Sequence, residues 1–319
     1  MVSLEDMPRF SVIETDCTQD ISWITVMAHG ARFQISLALE DIKSTEIEQQ
    51  YLPLAERLET GDDEPDDQVD LQDLLLKPCS SLIKELAPEK PENITLQQYY
   101  FPPTYFFKLI TKDDALIALM IDESDSSVEN SMMMPMSKLP DHPGIPLRRA
   151  STIRILPADS KDDTTCEFPE RVQESCGTAR FFKPALFSDQ IVREIETQVK
   201  ILQAHLSSLR IPKLHAIITD DEVEMVLGLM FDLIPSNAWH LGDDQFIQAK
   251  EHHAKWRSQM FELVAELHKH DIVWGDVHPG NIMIDHDFNA WAVDFGGGWV
   301  ERFVRRKEAE TKEGDWKGL

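Results

Sequence analysis

The sequence predicts an α+β protein in two parts. Three observations point there. Strand-like and helix-like patterns alternate over residues 1–122. From Glu123 to Arg149 the chain loosens into ESDSSVENSMMMPMSKLPDHPGIPLRR, where Ser, Pro and charge dominate and the methionines have no helical period. After it, strands, one long helix, two further strands and a mostly helical segment follow in an order that is not a strict strand–helix alternation. The expected division is a smaller mixed α/β domain over 1–122, a linker over 123–149, and a second domain over 150–319.

In the first part FSVIE, ISWITV and RFQISLAL are expected strands, with His29-Gly30 as the turn between the second and third. The acidic run from Gly61, GDDEPDDQVD, is expected to be a solvated loop because it cannot bury itself. DLQDLLLKPCSSLIKEL has helical spacing broken at Pro78. TYFFKLIT, KDD and ALIALMID form an expected hairpin.

In the second part STIRIL and ARFFKPA are expected strands around FPERVQES. Ser188 or Asp189 is the expected cap of a helix whose apolar stripe is Ile191, Ile195, Val199, Leu202 and Leu206. KLHAII and EVEMVLGLMF are strands joined by the turn TDDE, and a second helix carries Trp256, Met260, Leu263, Val264 and Leu267.

Charge narrows the function. The chain holds 57 acids against 31 basic residues, a formal net of −26, which argues against nucleic-acid and anionic-membrane partners. ALIALMI and MVLGLMF are far shorter than the ~20 apolar residues of a membrane helix. MVSLEDMPRF lacks the basic and apolar regions of a signal peptide. Cys17, Cys79, Cys166 and Cys176 have no metal spacing. A bridge between Cys166 and Cys176 across a hairpin is an alternative to free thiols. The expectation is a cytoplasmic or nuclear protein.

The most informative stretch is VWGDVHPGNIMIDHDFNAWAVDFGGG, from Val273 to Gly298. IMI and AWAV read as two short strands around a polar turn. A hairpin of that length returns the chain to its start, bringing Asp294 beside Asn281. A carboxylate and an amide oxygen are hard donors suited to Mg²⁺ carrying phosphate oxygens. Asp276, just upstream, is able to accept a proton from an attacking hydroxyl. Asp276 and Asn281 by themselves would also suit the caps of a turn; Asp294 at matching spacing favours a site. His252, His253 and His270 lack a metal geometry, and His268 is expected to pack or hydrogen-bond.

GDVHPGN followed by VDFGG resembles the catalytic loop and DFG motif of the protein-kinase-like superfamily. The resemblance implies a two-lobed fold with an abbreviated C-terminal lobe: an N-lobe over about 150–230, a hinge over about 231–237 and a short C-lobe over 238–319. It implies ATP and Mg²⁺ as cofactors, Asp276 as catalytic base, Asn281 as a Mg²⁺ ligand and Asp294 as the principal one. Lys183 in ARFFKPA resembles the strand lysine that contacts the α and β phosphates. The helix after it resembles the one that supplies that lysine's glutamate, with Glu196 the first choice and Glu194 the second. Backbone groups near Phe231 to Leu233 would meet adenine. WGDxxxxN, DFGGG and the closing EGDxxGL are similar to abbreviated kinase-like proteins found mainly in filamentous fungi.

The pattern departs from the family in three places. PADSKDDTTCEFPE stands where a G-x-G-x-x-G loop is usual. Gly275 replaces the arginine of the usual HRD triplet, and His278 replaces a lysine. Only 23 residues follow Gly296 (319 − 296), where a full kinase has roughly a hundred more; Asp315 is the candidate for a structural acid there. The expected activity is phosphoryl transfer from ATP to a small-molecule or protein hydroxyl. The alternative is a pseudokinase that acts as a nucleotide-binding or protein-interaction module.

Overall fold

The computed structural model describes residues 8–62, 64–89, 91–113, 115–122, 133–156, 169–234, 239–300 and 302–319. The chain divides into two compact units: Met1–Asn130 with Arg154–Pro169, and Ser131–Ile153 with Glu170–Leu319.

The first unit is built on a five-stranded sheet, β1 (Phe10–Cys17), β2 (Ile21–Ala28), β3 (Ala31–Ala38), β4 (Thr104–Lys112) and β5 (Ala115–Ile121), in that spatial order. The three predicted early strands and the late hairpin are all present. His29 and Gly30 adopt φ of +47° and +79°, the twin left-handed geometry that a tight hairpin turn requires. The alternation of β2 and β3 puts Ile24, Val26, Phe33, Ile35 and Leu37 on one face, each fully buried. β3 and β4 pair in parallel, and the crossover between them carries helices α1 (Glu46–Thr60), α2 (Asp67–Leu76), α3 (Ser80–Leu86) and α4 (Leu96–Tyr100). The first three pack Tyr51, Leu54, Leu71, Leu75 and Ile83 onto that face.

The acidic run from Gly61 is not all loop. Its second half forms the first turn of α2, and Asp67 is buried. Its carboxylate accepts from Arg57 Nε at 2.7 Å and Nη2 at 2.5 Å, and Oδ2 also accepts from the N–H of Glu64 at 2.9 Å. A bidentate guanidinium supplies what a buried carboxylate needs. The break at Pro78 is a 3-10 turn, Lys77–Cys79, between α2 and α3. Cys79 is buried, Cys176 is exposed, and both are free thiols, as is Cys17; Cys166 lies outside the described residues.

The expected linker is only partly a linker. Met134–Pro135 (β6) and Leu147–Arg149 (β7) pair with strands of the second unit, and Met134 is fully buried. Next, β8 (Arg154–Ile155) belongs to the first unit, where the Ile155 N–H donates to Ile94 O at 2.8 Å. The second-unit sheet runs β7, β11 (Leu214–Thr219), β12 (Met225–Asp232), β10 (Ala179–Pro184) and β9 (Arg171–Gln173), with β6 beside β12. Helix α5 (Ser188–Gln203) lays Ile191, Ile195 and Val199 on Leu214, Ile217, Leu229 and Phe231. Each such side chain stabilises by about 1.5–3 kcal/mol on full burial. Neither Ser188 nor Asp189 caps α5: the N-cap is Phe187, with no side-chain bond, and Ser188 is already helical.

A second cluster of this unit surrounds α7 (Lys250–Lys269), preceded by the short α6 (Asp244–Gln248). The predicted stripe of Trp256, Met260, Leu263, Val264 and Leu267 is buried. It packs against a three-stranded sheet of β13 (Trp239–His240), β14 (Ile282–Ile284) and β15 (Ala290–Ala292). Helix α8 (Lys312–Gly318) ends the chain. Among the described residues no helix is long and apolar enough to cross a membrane.

Candidate functional site

β14 and β15 form the predicted hairpin in the register Ile282↔Ala292, Met283↔Trp291 and Ile284↔Ala290. Asp285 closes its turn, Oδ1 accepting from the N–H groups of Asp287 and Asn289 at 2.9 and 2.8 Å. One step past the pairing, Val293 N–H donates to Asn281 O at 3.0 Å. Asp294 is thus the next residue after the backbone partner of Asn281.

Asn281 ends a 3-10 turn, Pro279–Asn281, and is buried. Its Nδ2 donates to Asp276 O at 2.9 Å, which leaves Oδ1 as the accepting atom of the amide. Asp276 sits half-buried beside it. Burial raises its carboxyl above the ordinary value and the charge of Asp294 adds to that rise, while His278, the Asn281 amide and Arg193 oppose it. His278 Nε2 lies 3.8 Å from Asp276 Oδ2.

Lys183 reaches this group from β10. Its Nζ lies 2.6 Å from Glu194 Oε2 and 2.8 Å from Asp294 Oδ1. The lysine's carboxylate is therefore Glu194, and the expectation of Glu196 is corrected: Glu196 is exposed on the far side of α5. Glu194 is three residues beyond Ile191 and flanks the buried stripe, whereas Glu196 falls two positions, about 200°, further round the helix. Glu194 is 2% exposed, and burial, with the charge of Asp294 adding to it, holds its carboxyl above the ordinary value against Lys183 and the Phe295 N–H, which donates to Oε1 at 3.2 Å. Burial acts to lower the Lys183 ammonium, but Glu194 and Asp294 outweigh it and hold it above its ordinary value. Asp294 has φ +58°, a conformation costly for a residue with a side chain and characteristic of functional positions.

Several residues of the site were not visible as such in the sequence. Arg193, next to Glu194, donates from Nη1 to Trp274 O at 3.1 Å and to Phe295 O at 2.7 Å. Trp274 is fully buried, stacks on Phe295 at 5.7 Å, and donates from Nε1 to Val293 O and Asp294 O at 2.9 and 3.1 Å. Asp315 of α8, 1% exposed, accepts from the N–H groups of Trp274 and Gly275 at 2.9 and 2.7 Å, with His268 Nε2 2.8 Å away. That is the structural role expected of this acid, and His268 is its partner. A signal for Arg193 existed in the missing side chain at Gly275.

Phe231 and Leu233 stand at the end of β12. The Phe231 side chain is buried under α5, its backbone lies between Phe181 of β10 and Leu214 of β11, and Leu233 is 37% exposed. Between them, Asp232 is held by Arg180 and His215. Residues 157–168, nearly all of the segment in place of a glycine loop, lie outside the described residues. Among the described residues no group of three or more His, Cys, Asp or Glu is arranged to hold a metal. The donors that suit a hard cation are Asn281 Oδ1 and the second oxygen of Asp294, Oδ2, which the Lys183 pair does not use.

The arrangement brings together a half-buried carboxylate, a pair of hard oxygen donors and a lysine fixed by two acids. No protein-family model matches this chain, and no curated protein sequence matches it.

Proposed function

We propose that the second unit is an ATP- and Mg²⁺-dependent phosphotransferase with a two-lobed kinase-like fold and a short C-terminal lobe. One observation carries the reading: Lys183 bridges Glu194 and Asp294, while Asp276 and Asn281 stand beside Asp294. A scaffold protein has no physical need to gather these five side chains.

Asp276 accepts the proton of the acceptor hydroxyl, and its raised carboxyl makes it a better base near neutral pH than an exposed aspartate. Lys183, held by Glu194, is positioned to bind phosphate oxygens of the donor. Asn281 Oδ1 and Asp294 would hold Mg²⁺, which when bound supplies charge neutralisation at those oxygens. The backbone at Phe231 and Leu233 borders the expected adenine position. Positioning and charge stabilisation account for most of the expected rate enhancement.

Thermal shift with ATP–Mg²⁺, followed by ATP turnover, tests this for wild type and Asp276→Ala. Stabilisation is expected in both and turnover only in wild type. Turnover that survives the substitution removes Asp276 from its role. A nucleotide shift with no turnover in wild type selects the pseudokinase alternative, and no shift at all removes the nucleotide reading.

A further inference from the structure

We infer that the acceptor is an acidic polypeptide segment, recognised by a cationic strip that follows the site in the chain; this rests on the phosphotransfer reading above. Residues 302–307 read RFVRRK, four cations in six positions of a chain with net charge −26. Arg302, Arg305, Arg306 and Lys307 are all exposed. Among the described residues none of the four has a carboxylate within 4.0 Å. The acids that follow are mostly committed. Glu308 is 2.7 Å from Lys317, Glu310 faces Arg193 at 3.9 Å, and Asp315 is buried against His268; Glu313 is exposed on α8. Lys307 and Arg305 act on Glu308 only at longer range, behind its pairing with Lys317, and in so acidic a chain a run of exposed cations outside close ion pairs is a surface with a use.

Two contacts tie the strip to the chemistry. Phe303 stacks on His278 at 6.0 Å between ring centres, and His278 lies 3.8 Å from Asp276. The Arg302 guanidinium lies 5.8 Å from the centre of the Phe303 ring. At the other end of the segment, a Cβ at Gly298 would stand 2.9 Å from Asp276 Oδ2. The chain thus leaves Asp276 at Gly298 and returns at Phe303 to its neighbour His278, with exposed Trp299 and Val300 in between. Val304 is buried and fixes the strip to the body of the unit. The strip is folded, with a turn at 302–304 and a 3-10 turn over Arg306–Glu308, and four exposed cations in six residues suit several carboxylates better than a single phosphate group. A serine or threonine at Asp276 with acidic neighbours laid along 302–307 satisfies this geometry.

The test uses the full-length protein, ATP–Mg²⁺, and three serine peptides of one length, flanked by Asp/Glu, by Asn/Gln or by Lys. Initial rates and fluorescence-anisotropy binding are both measured, for wild type and for the triple variant Arg302→Gln, Arg305→Gln, Arg306→Gln. Wild type is expected to favour the acidic peptide over the neutral one by roughly tenfold in kcat/KM, through KM, with the preference shrinking as salt rises. The variant is expected to lose that preference while keeping the thermal shift with ATP–Mg²⁺, which reports its fold. Equal binding of all three peptides by wild type, or an acidic preference that survives in the variant, overturns the inference. Charge-dependent binding without turnover keeps the strip as an acidic-peptide site and removes the phosphotransfer reading alone. Phosphorylation of neutral and acidic peptides at the same kcat/KM keeps the enzyme and removes the strip.

Discussion

The guanidinium of Arg193 occupies the space in front of Gly275: a Cβ added at Gly275 would overlap Arg193 Nη2 and come within 2.8 Å of its Cζ. The same arginine limits Gly297, where a Cβ would stand 2.8 Å from Nη1. The space left by the absent side chain at Gly275 is filled by the one that α5 supplies, and Arg193 uses it to reach the carbonyls of Trp274 and Phe295.

Gly275→Ala therefore meets two penalties, the steric one and a backbone φ of +95°. A loss of about 2–4 kcal/mol in unfolding free energy is expected. Adding Arg193→Ala should restore part of it, because the overlap disappears and the backbone strain stays. Urea denaturation of the two single variants and the double variant measures the coupling; strict additivity would contradict the contact.

Arg193 also holds the Asp276 carboxyl down against burial. Arg193→Gln should raise that carboxyl further. A base works ionised, so the acidic limb of the kcat/KM profile should move to higher pH, whereas Arg193→Lys, which keeps the charge, should leave the limb near its wild-type position. A purely structural role would lower the rate in both variants without moving the limb.

Lys183→Met leaves Glu194, 2% exposed, and Asp294 without their cation. A loss of about 3 kcal/mol is expected, as for other broken buried pairs. The lysine is held above its ordinary value, so its contribution is complete below that value and is lost as pH rises through the higher folded one. Denaturation midpoints of wild type and variant should accordingly converge at strongly alkaline pH, and also at acid pH, where protonation of Glu194 and Asp294 removes the same pair.

Asp67 gives the opposite sign in the first unit. Arg57, and then the Glu64 N–H, lower its carboxyl from 3.8 to about 2. The stability this pair contributes is present above the unfolded value and lost as pH falls through the folded one. Asp67→Asn should flatten the acid dependence of first-unit unfolding between about pH 4 and 2, followed by circular dichroism; an unchanged slope would mean that Asp67 is not the titrating group.

How far the sequence was legible follows the periodicity. The β14–β15 hairpin, the α7 stripe and the early strands repeat at two or at three to four residues and appear where that repeat predicts, whereas the α5 stripe holds for Ile191, Ile195 and Val199 but not for Leu202, which is exposed, or Leu206, which lies past the helix end. The hairpin made the gathering of Asp276, Asn281 and Asp294 readable too, whereas Lys183 was reached only through the resemblance of ARFFKPA to a kinase strand. Glu194 was not separated from Glu196, because an exposed helix face tolerates glutamate anywhere and only the position of Ile191 distinguishes them. β6 and β7 were missed because two- and three-residue strands beside prolines have no period. α1 had a signal: Thr45 accepts from the Glu48 N–H at 3.3 Å while Glu48 accepts from the Ser44 N–H at 2.6 Å. Asp67 sat in a run whose average polarity concealed one paired member.

Arg193 and Glu194 are consecutive on α5, about 100° apart around its axis, and both are fastened to the segment beginning at Asp294. A rigid rod gripped at two adjoining points cannot slacken one and keep the other. Turning α5 far enough to withdraw Glu194 from Lys183 would also pull Arg193 from Trp274 and Phe295, so the ion pair and the carbonyl contacts would be lost together.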